Sequence, residues 1–224
     1  MREYARSTLA TLEARRLSAG YGRAQVLFDI DLQVREGEVV ALLGRNGAGK
    51  STTLKAIMGL VPPRSGEVTL NGESISHLQP YQIARCGLGY VPEDRRIFTD
   101  LTVAENIEVG RQPPRGGAPA WTEERLFALF PALAALRHRR GARMSGGEQQ
   151  MLCIARTLAG NPAAILMDEP SEGLAPVVVE QVAKAILELK RSRVTVLLAE
   201  QSRHFAARVA DRAYRLENGV VRPA

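Results

Sequence analysis

A chain of 224 residues, 45% hydrophobic and 24% charged, is long enough to bury a sizeable core and too short for several large domains, and its balance excludes collagenous, disordered and membrane-embedded classes. Its longest apolar runs, at residues 39–43 and 194–199, fall far below the roughly 20 residues that span a bilayer, so any membrane role must come through partners. The net charge of +6 admits nucleic acid, anionic lipid or a solvated surface, but the arginines gather at Arg15–Arg16, Arg95–Arg96 and residues 137–143 without interleaved aromatics, which disfavours a base-stacking platform.

In chain order, the opening stretch to Leu17 scatters arginines and a glutamate among short apolar residues and builds no secretory signal. Without an export signal, Cys86 and Cys153 read as reduced thiols in a cytosolic protein. Short β-rich runs then alternate with longer helical patterns, the mark of an α/β domain with a largely parallel sheet. A first buried strand is predicted at residues 38–43, a continuous apolar run of the kind covered on both faces. It leads into Gly44-Arg45-Asn46-Gly47-Ala48-Gly49-Lys50-Ser51, which fits the phosphate-loop pattern G-x-x-x-x-G-K-[ST] in its required setting between strand and helix. Glycines there let backbone N–H groups turn toward phosphates, and the following helix N-terminus adds partial positive charge. Lys50 is placed to reach the β- and γ-phosphates, Ser51 to offer its hydroxyl to Mg²⁺, and Thr52 to donate to the α-phosphate. The plain alternative, an incidental glycine-rich turn, does not explain that setting.

Residues 80–143 carry helical patterns broken by a Pro/Gly-rich segment at 111–120, and read as a helical subdomain of about 80–145 inserted in a single domain of 1–224. Residues 145–159 place Met151, Ile154, Ala155 and Leu158 on one helical face, with Ser145 positioned as the N-cap. A second buried strand at 163–167 ends in Asp168-Glu169, where one carboxylate can hold Mg²⁺ and its neighbour can polarise an attacking water. Alone, such a pair is as often two ordinary loop charges. A third buried strand, at 194–199, completes the set. Because ligands of open α/β sheets gather at the carboxyl ends of the strands, the three ends should converge on one site. The chain closes with a strand-like run at 214–221, and no internal repeat or low-complexity tract interrupts it.

Just upstream of the Asp168-Glu169 strand, Met144-Ser145-Gly146-Gly147-Glu148-Gln149 resembles the signature of the ABC ATPases, and Asp168-Glu169 then resembles a Walker B motif. The resemblance covers nearly the whole chain. Within that family, VPEDRRIF, LFP, MSGGEQQML, DEPSEGLAP and LLAEQS are similar to the ATPases of branched-chain amino-acid importers and their urea and amide relatives. The resemblance implies a P-loop NTPase core with a largely parallel sheet, an N-terminal antiparallel β portion and the inserted helical subdomain. It also implies ATP and Mg²⁺, two transmembrane permease subunits, a second ABC ATPase of the same or homologous kind, a substrate-binding protein, no nucleic acid, and a place on the cytoplasmic face of the cell membrane. In the head-to-tail dimer so implied, each ATP lies between one phosphate loop and the opposing Ser145, Gly146, Gly147 and Glu148, where helix-start amides and the Ser145 hydroxyl suit a γ-phosphate. Tyr21, in Gly20-Tyr21-Gly22, matches the aromatic that stacks on adenine.

Three positions depart from the common pattern. Glu93 stands where most ABC ATPases have a glutamine that approaches the metal and the water, Ala175 where many have an aspartate, and Gln201 where a switch histidine is expected. Glutamine can hydrogen-bond a γ-phosphate but cannot carry the charge of a protonated histidine. The expected catalytic set is therefore Glu169, Lys50 and Gln201, with Ser51, Asp168 and Glu93 about the metal. His204 lies close to Gln201 in sequence, and neither His77 nor His138 carries a signal. Two rival readings are a soluble ABC ATPase acting on ribosomes or nucleic acid, which the basic charge keeps in view, and a weakly hydrolysing regulatory subunit, which Gln201 suggests. The first lacks fused cassettes or a long coiled-coil insertion to support it, and Glu169 opposes the second.

Overall fold

The continuous apolar runs become inner strands of a six-stranded sheet in the computed structural model, which describes residues 10–115 and 120–223. The first nine residues and the centre of the Pro/Gly-rich segment, 116–119, lie outside the described residues. The chain opens with a long hairpin, β1 (Ala10–Tyr21) and β2 (Ala24–Arg35), then β3 (Val39–Leu43), α1 (Lys50–Ile57), β4 (Pro63–Leu70) and β5 (Glu73–Ser74). Next come α2 (Pro80–Cys86), β6 (Leu88–Val91), α3 (Val103–Gly110), α4 (Glu123–Leu129), α5 (Pro131–Ala135) and a single 3₁₀ turn at Gly141–Arg143. The rest is α6 (Gly146–Ala159), β7 (Ala164–Asp168), α7 (Pro176–Arg191), β8 (Thr195–Glu200), α8 (Arg203–Val209), β9 (Arg212–Glu217) and β10 (Val220–Pro223).

One sheet, in the order β2-β1-β4-β5, is antiparallel throughout. The other runs β10-β9-β3-β8-β7-β6, parallel except for its edge strand β10. The inner strands read as unbroken apolar runs because both their faces are covered. Alternate side chains go to opposite sides: Val39, Ile165, Met167, Val196 and Leu198 pack with residues of α6, α7 and α8, whereas Val40, Leu42, Leu166, Leu197 and Ala199 pack with residues of α1 and the antiparallel sheet. In register, Leu43 lies opposite Glu200 and Asp168 opposite Ala199. The carboxyl ends of β3, β8 and β7 are therefore level, and whatever follows each strand meets at one rim.

The stretch expected to form a helical insert is not helical throughout. Residues 88–91, expected inside it, form β6 and pair in parallel with β7, and Ile83 of α2 belongs to the core cluster on the side of the antiparallel sheet. Four residues between a helical run and a polar turn carry too short a period to announce a strand, and only the pairing with β7 reveals it. The helices after Val91 bury Val103, Ile107, Leu126, Phe130 and Leu133 in the same cluster as α6 and α7, so they share the core of the sheet's helical side. The helix expected at residues 145–159 is α6, capped by Ser145 in a reciprocal box: the Ser145 N–H donates to Glu148 Oε2 at 2.7 Å, and the Glu148 N–H donates to Ser145 Oγ at 3.4 Å.

Of the two thiols, Cys86 is exposed and Cys153 is buried in α6. Burial pushes the Cys153 thiol up to about 11, which keeps it protonated at neutral pH and removes the reactive thiolate. At pH 8 a thiol reagent should label Cys86 alone in the folded protein and reach Cys153 only after denaturation. Mass spectrometry of the labelled chain checks this, and two labels in the native state would show that α6 opens.

Candidate nucleotide site

The loop between β3 and α1 turns on glycines whose replacement is barred by two different constraints. Gly47 (φ +80°) and Gly49 (φ +109°) adopt left-handed conformations, which side chains resist. A Cβ on Gly49 would also lie 2.9 Å from Leu27 of β2, and one on Gly44 would lie 2.7 Å from the Leu216 carbonyl of β9. The loop is thus gripped from both sheets while Arg45, Asn46 and Gly47 stay exposed. Gly49 caps α1 without a side-chain hydrogen bond, and no acid stands in the first turn. The N-terminal amides of α1 and its positive dipole end are left for an anion.

Lys50 points back beneath this loop. Its Nζ donates to the carbonyls of Gly44 at 2.9 Å and Arg45 at 3.1 Å. It also pairs with Glu169 Oε1 at 2.8 Å, the two side chains being 4% and 6% exposed. Beside it, Ser51 Oγ donates to Asp168 Oδ1 at 2.9 Å, and the Tyr90 hydroxyl donates to Asp168 Oδ2 at 3.2 Å. Burial raises the Asp168 carboxyl above its usual range against these two hydrogen bonds, and the charge of Glu93 adds to the rise. Burial, then the charge of Asp168, likewise pushes the Tyr90 hydroxyl up, so it remains a donor at any physiological pH. Glu169 holds φ at +48°, a left-handed setting that costs an L-residue roughly 1–2 kcal/mol. Its N–H donates to Ala199 O at 3.0 Å, and its carbonyl accepts from the Glu172 N–H at 3.1 Å.

A cleft of 710 Å³ opens over residues 44–48, with Gln201, Arg203 and the β9–β10 hairpin on its far wall. A second, of 470 Å³, lies between Glu169, Glu172, Gln201 and His204. The structure therefore gathers the phosphate loop, Lys50, Ser51, Asp168, Glu169 and Gln201 around one rim. Thr52 is buried just behind. Glu93 stands exposed in the turn after β6, close enough for its charge to act on Asp168. Tyr21, 50% exposed, sits at the tip of the β1–β2 hairpin opposite Ala24, and the stem of that hairpin, through Val26 and Leu27, rests on Gly49. Among the described residues, no hydrogen bond or ion pair joins residues 145–148 to residues 44–52. Gly146 instead lies against the Arg95 guanidinium and Gly147 against Val178 of α7, where any Cβ would meet Val178 Cγ2 at 2.7 Å.

Two members of this constellation were not visible in the sequence. Tyr90 lies in a stretch whose sequence suggests a helical insert, and its hydroxyl meets Asp168 only through the pairing of Tyr90 with Leu166. Glu200 follows directly on the apolar run 194–199 and carries no signal of its own there, yet it is 1% exposed and accepts the N–H of Ser171 at 3.2 Å and of Ser202 at 3.3 Å. Burial raises its carboxyl above the usual range, opposed by the hydrogen bonds from Ser171 and Ser202 and helped by the charge of Glu169. The donor set suits a hard cation: Ser51 and Asp168 already bring a hydroxyl and a carboxylate oxygen together. Among the described residues no three His, Cys, Asp or Glu side chains converge as a metal site.

Residues 27–172 match the family model described as "ABC transporter". The chain is 43% identical over 204 residues to the high-affinity branched-chain amino acid transport ATP-binding protein BraG of Pseudomonas aeruginosa, covering 91% of this chain and 88% of that one. It is 36% identical over 213 residues to the lipopolysaccharide export system ATP-binding protein LptB of Escherichia coli, covering 94% and 88%. Among solved structures, a dimeric bacterial ABC transporter cassette superposes with a TM-score of 0.80 at 26% identity, covering 94% of this chain and 96% of that one.

Replacing Tyr90 by Phe removes one hydrogen bond from Asp168 and leaves Oδ2 without it. The expected cost is about 1–3 kcal/mol, read as a lower urea midpoint at unchanged slope. An unchanged midpoint would show that the hydroxyl holds nothing.

Proposed function

The chain belongs to the ABC transporter family as an ATP-binding, ATP-hydrolysing subunit, and on that footing we propose that it powers uptake of branched-chain amino acids or a related small polar solute. The 43% identity to BraG across 91% of the chain carries this reading. The lower identity to LptB makes export the alternative that an experiment must separate. Among the described residues no helix is long and apolar enough to cross a membrane, so the path for solute belongs to two permease subunits, with this chain at their cytoplasmic face. A second cassette, identical or homologous, pairs head to tail with it, and a substrate-binding protein delivers the solute. The loop from Glu93 to Val103, with Arg95 and Arg96, docks the permeases.

The chemistry follows from the residues at the rim. The phosphate loop and the start of α1 bind the triphosphate through backbone N–H groups, and Tyr21 takes the adenine. Ser51 and Asp168 would hold Mg²⁺, with Glu93 near them, and the ion would supply neutralising charge to the phosphates. Lys50 and Glu169 now satisfy each other. A γ-phosphate competes for the same ammonium, so its arrival frees the Glu169 carboxylate to polarise a water for in-line attack. Gln201 hydrogen-bonds the γ-phosphate, and the opposing subunit closes the site with Ser145, Gly146, Gly147 and Glu148. Because the complete constellation exists only when two subunits meet around ATP, binding energy is available to move the attached permeases.

Glu169→Gln should lower ATP turnover about 100-fold or more while ATP-induced dimerisation survives, measured by phosphate release and by size-exclusion chromatography with ATP. Unchanged turnover would remove Glu169 from its role. To test the transport assignment, the tagged protein is purified from gently solubilised native membranes and its companions are identified by mass spectrometry. Two multi-span proteins and an amino-acid-binding protein are expected. Lipid-export components, ribosomes or DNA-associated proteins in their place would overturn it.

A further inference from the structure

Among the described residues, the buried acids are Asp168, Glu169 and Glu200. The first two already have work in the site; the third has none. A carboxylate enclosed in protein is costly unless its oxygens are well satisfied, and β8 otherwise presents Thr195 and apolar side chains. Stability alone would be served better by a small neutral residue at the end of this strand.

Its two oxygens hold two different loops. Glu200 Oε1 accepts from the Ser171 N–H at 3.2 Å, in the loop that carries Glu169, and Oε2 accepts from the Ser202 N–H at 3.3 Å, in the turn that presents Gln201 and starts α8. The Glu200 main-chain carbonyl meanwhile accepts from the N–H of Gly44, the first residue of the phosphate loop, at 3.4 Å. One residue thus touches all three segments of the rim. Two features make such a link useful. Glu169 is held at φ +48°, so its backbone needs support from its neighbours. Gln201 cannot become charged, so its engagement with a γ-phosphate depends on being placed correctly rather than on protonation.

We propose that Glu200 is a positioning residue for ATP hydrolysis, a carboxylate clamp that locks the Glu169 loop to the Gln201 turn so that both meet the γ-phosphate as one unit. The inference rests on the assignment of hydrolysis to Glu169 above. It does not require Glu200 to touch nucleotide or metal, nor to change its protonation.

The test is the steady-state and single-turnover ATPase of the full-length protein with Glu200→Gln and Glu200→Asp. Glutamine keeps the shape but turns an N–H₂ toward one of the two amide donors; aspartate keeps the charge but is one methylene too short to span both. Each variant should lose about 10- to 100-fold in kcat, the scale of a small misplacement of reacting groups. KM for ATP should stay within about twofold, because the phosphate loop is untouched. Added to Glu169→Gln, Glu200→Gln should cost no further rate, as two residues acting through one step are non-additive. A thermal shift on adding ATP shows that each variant is folded. Wild-type kcat in either folded variant, a loss confined to KM, or a full further loss in the Glu169→Gln background would overturn the clamp. A wild-type protein that binds ATP without hydrolysing it would instead remove the reading on which the clamp rests.

Discussion

The ion pair between Lys50 and Glu169 is the constraint around which this molecule is arranged. Each side chain is almost fully enclosed, and bringing an ammonium and a carboxylate out of water costs several kcal/mol per ion before their attraction is counted. The carbonyls of Gly44 and Arg45 complete the coordination of the ammonium. Breaking such a pair by removing one partner leaves a buried charge alone, which is far more costly than never burying it. The pair is thus secure until another anion reaches Lys50, and under the function proposed above that anion is the γ-phosphate, whose arrival would free Glu169 to polarise the attacking water. Binding and readiness for chemistry are linked by one shared cation.

That linkage needs a rigid frame, and the parallel sheet supplies it. β3, β8 and β7 end at the same level, with core packed against both faces. Backbone bonds from Gly44 to Glu200 and from Glu169 to Ala199 stitch the loops to the strand ends. The glycines at 44 and 49 matter as much for what approaches them as for what they bind, because Leu216 and Leu27 occupy the space a side chain would need. The phosphate loop is held in shape by its own fold, so its N–H groups need little rearrangement to meet an anion.

The signature segment follows a different logic. Its serine is spent on a capping box with Glu148, and Gly147 admits Val178 of α7. The segment is therefore built locally and anchored to the helical side of the core, with no hydrogen bond to its own phosphate loop among the described residues. Ser145 itself is exposed. At the same rim Gln201 offers direction without charge, since an amide hydrogen-bonds but does not titrate.

Much of this was legible in the residues. The phosphate loop, the Ser145 cap and the three apolar strands are local patterns, set by glycine conformation, helix-end chemistry and burial on two faces, and each was recognisable within a dozen residues. β6, the hydrogen bond from Tyr90 to Asp168 and the carboxylate of Glu200 were not. β6 is four residues long and becomes a strand only by pairing with β7, whereas Glu200 looks like the polar end of an apolar run until Ser171 and Ser202 close on it. The amino-acid sequence by itself determined where the glycine-rich loop turns into a helix and which acids end the strands, because those requirements are met within one segment. Only the tertiary structure decided that Lys50 faces Glu169, that Tyr90 holds Asp168 and that one buried acid spans two loops. Those contacts join segments far apart in the chain, and their geometry is a property of the sheet's register rather than of any local spacing.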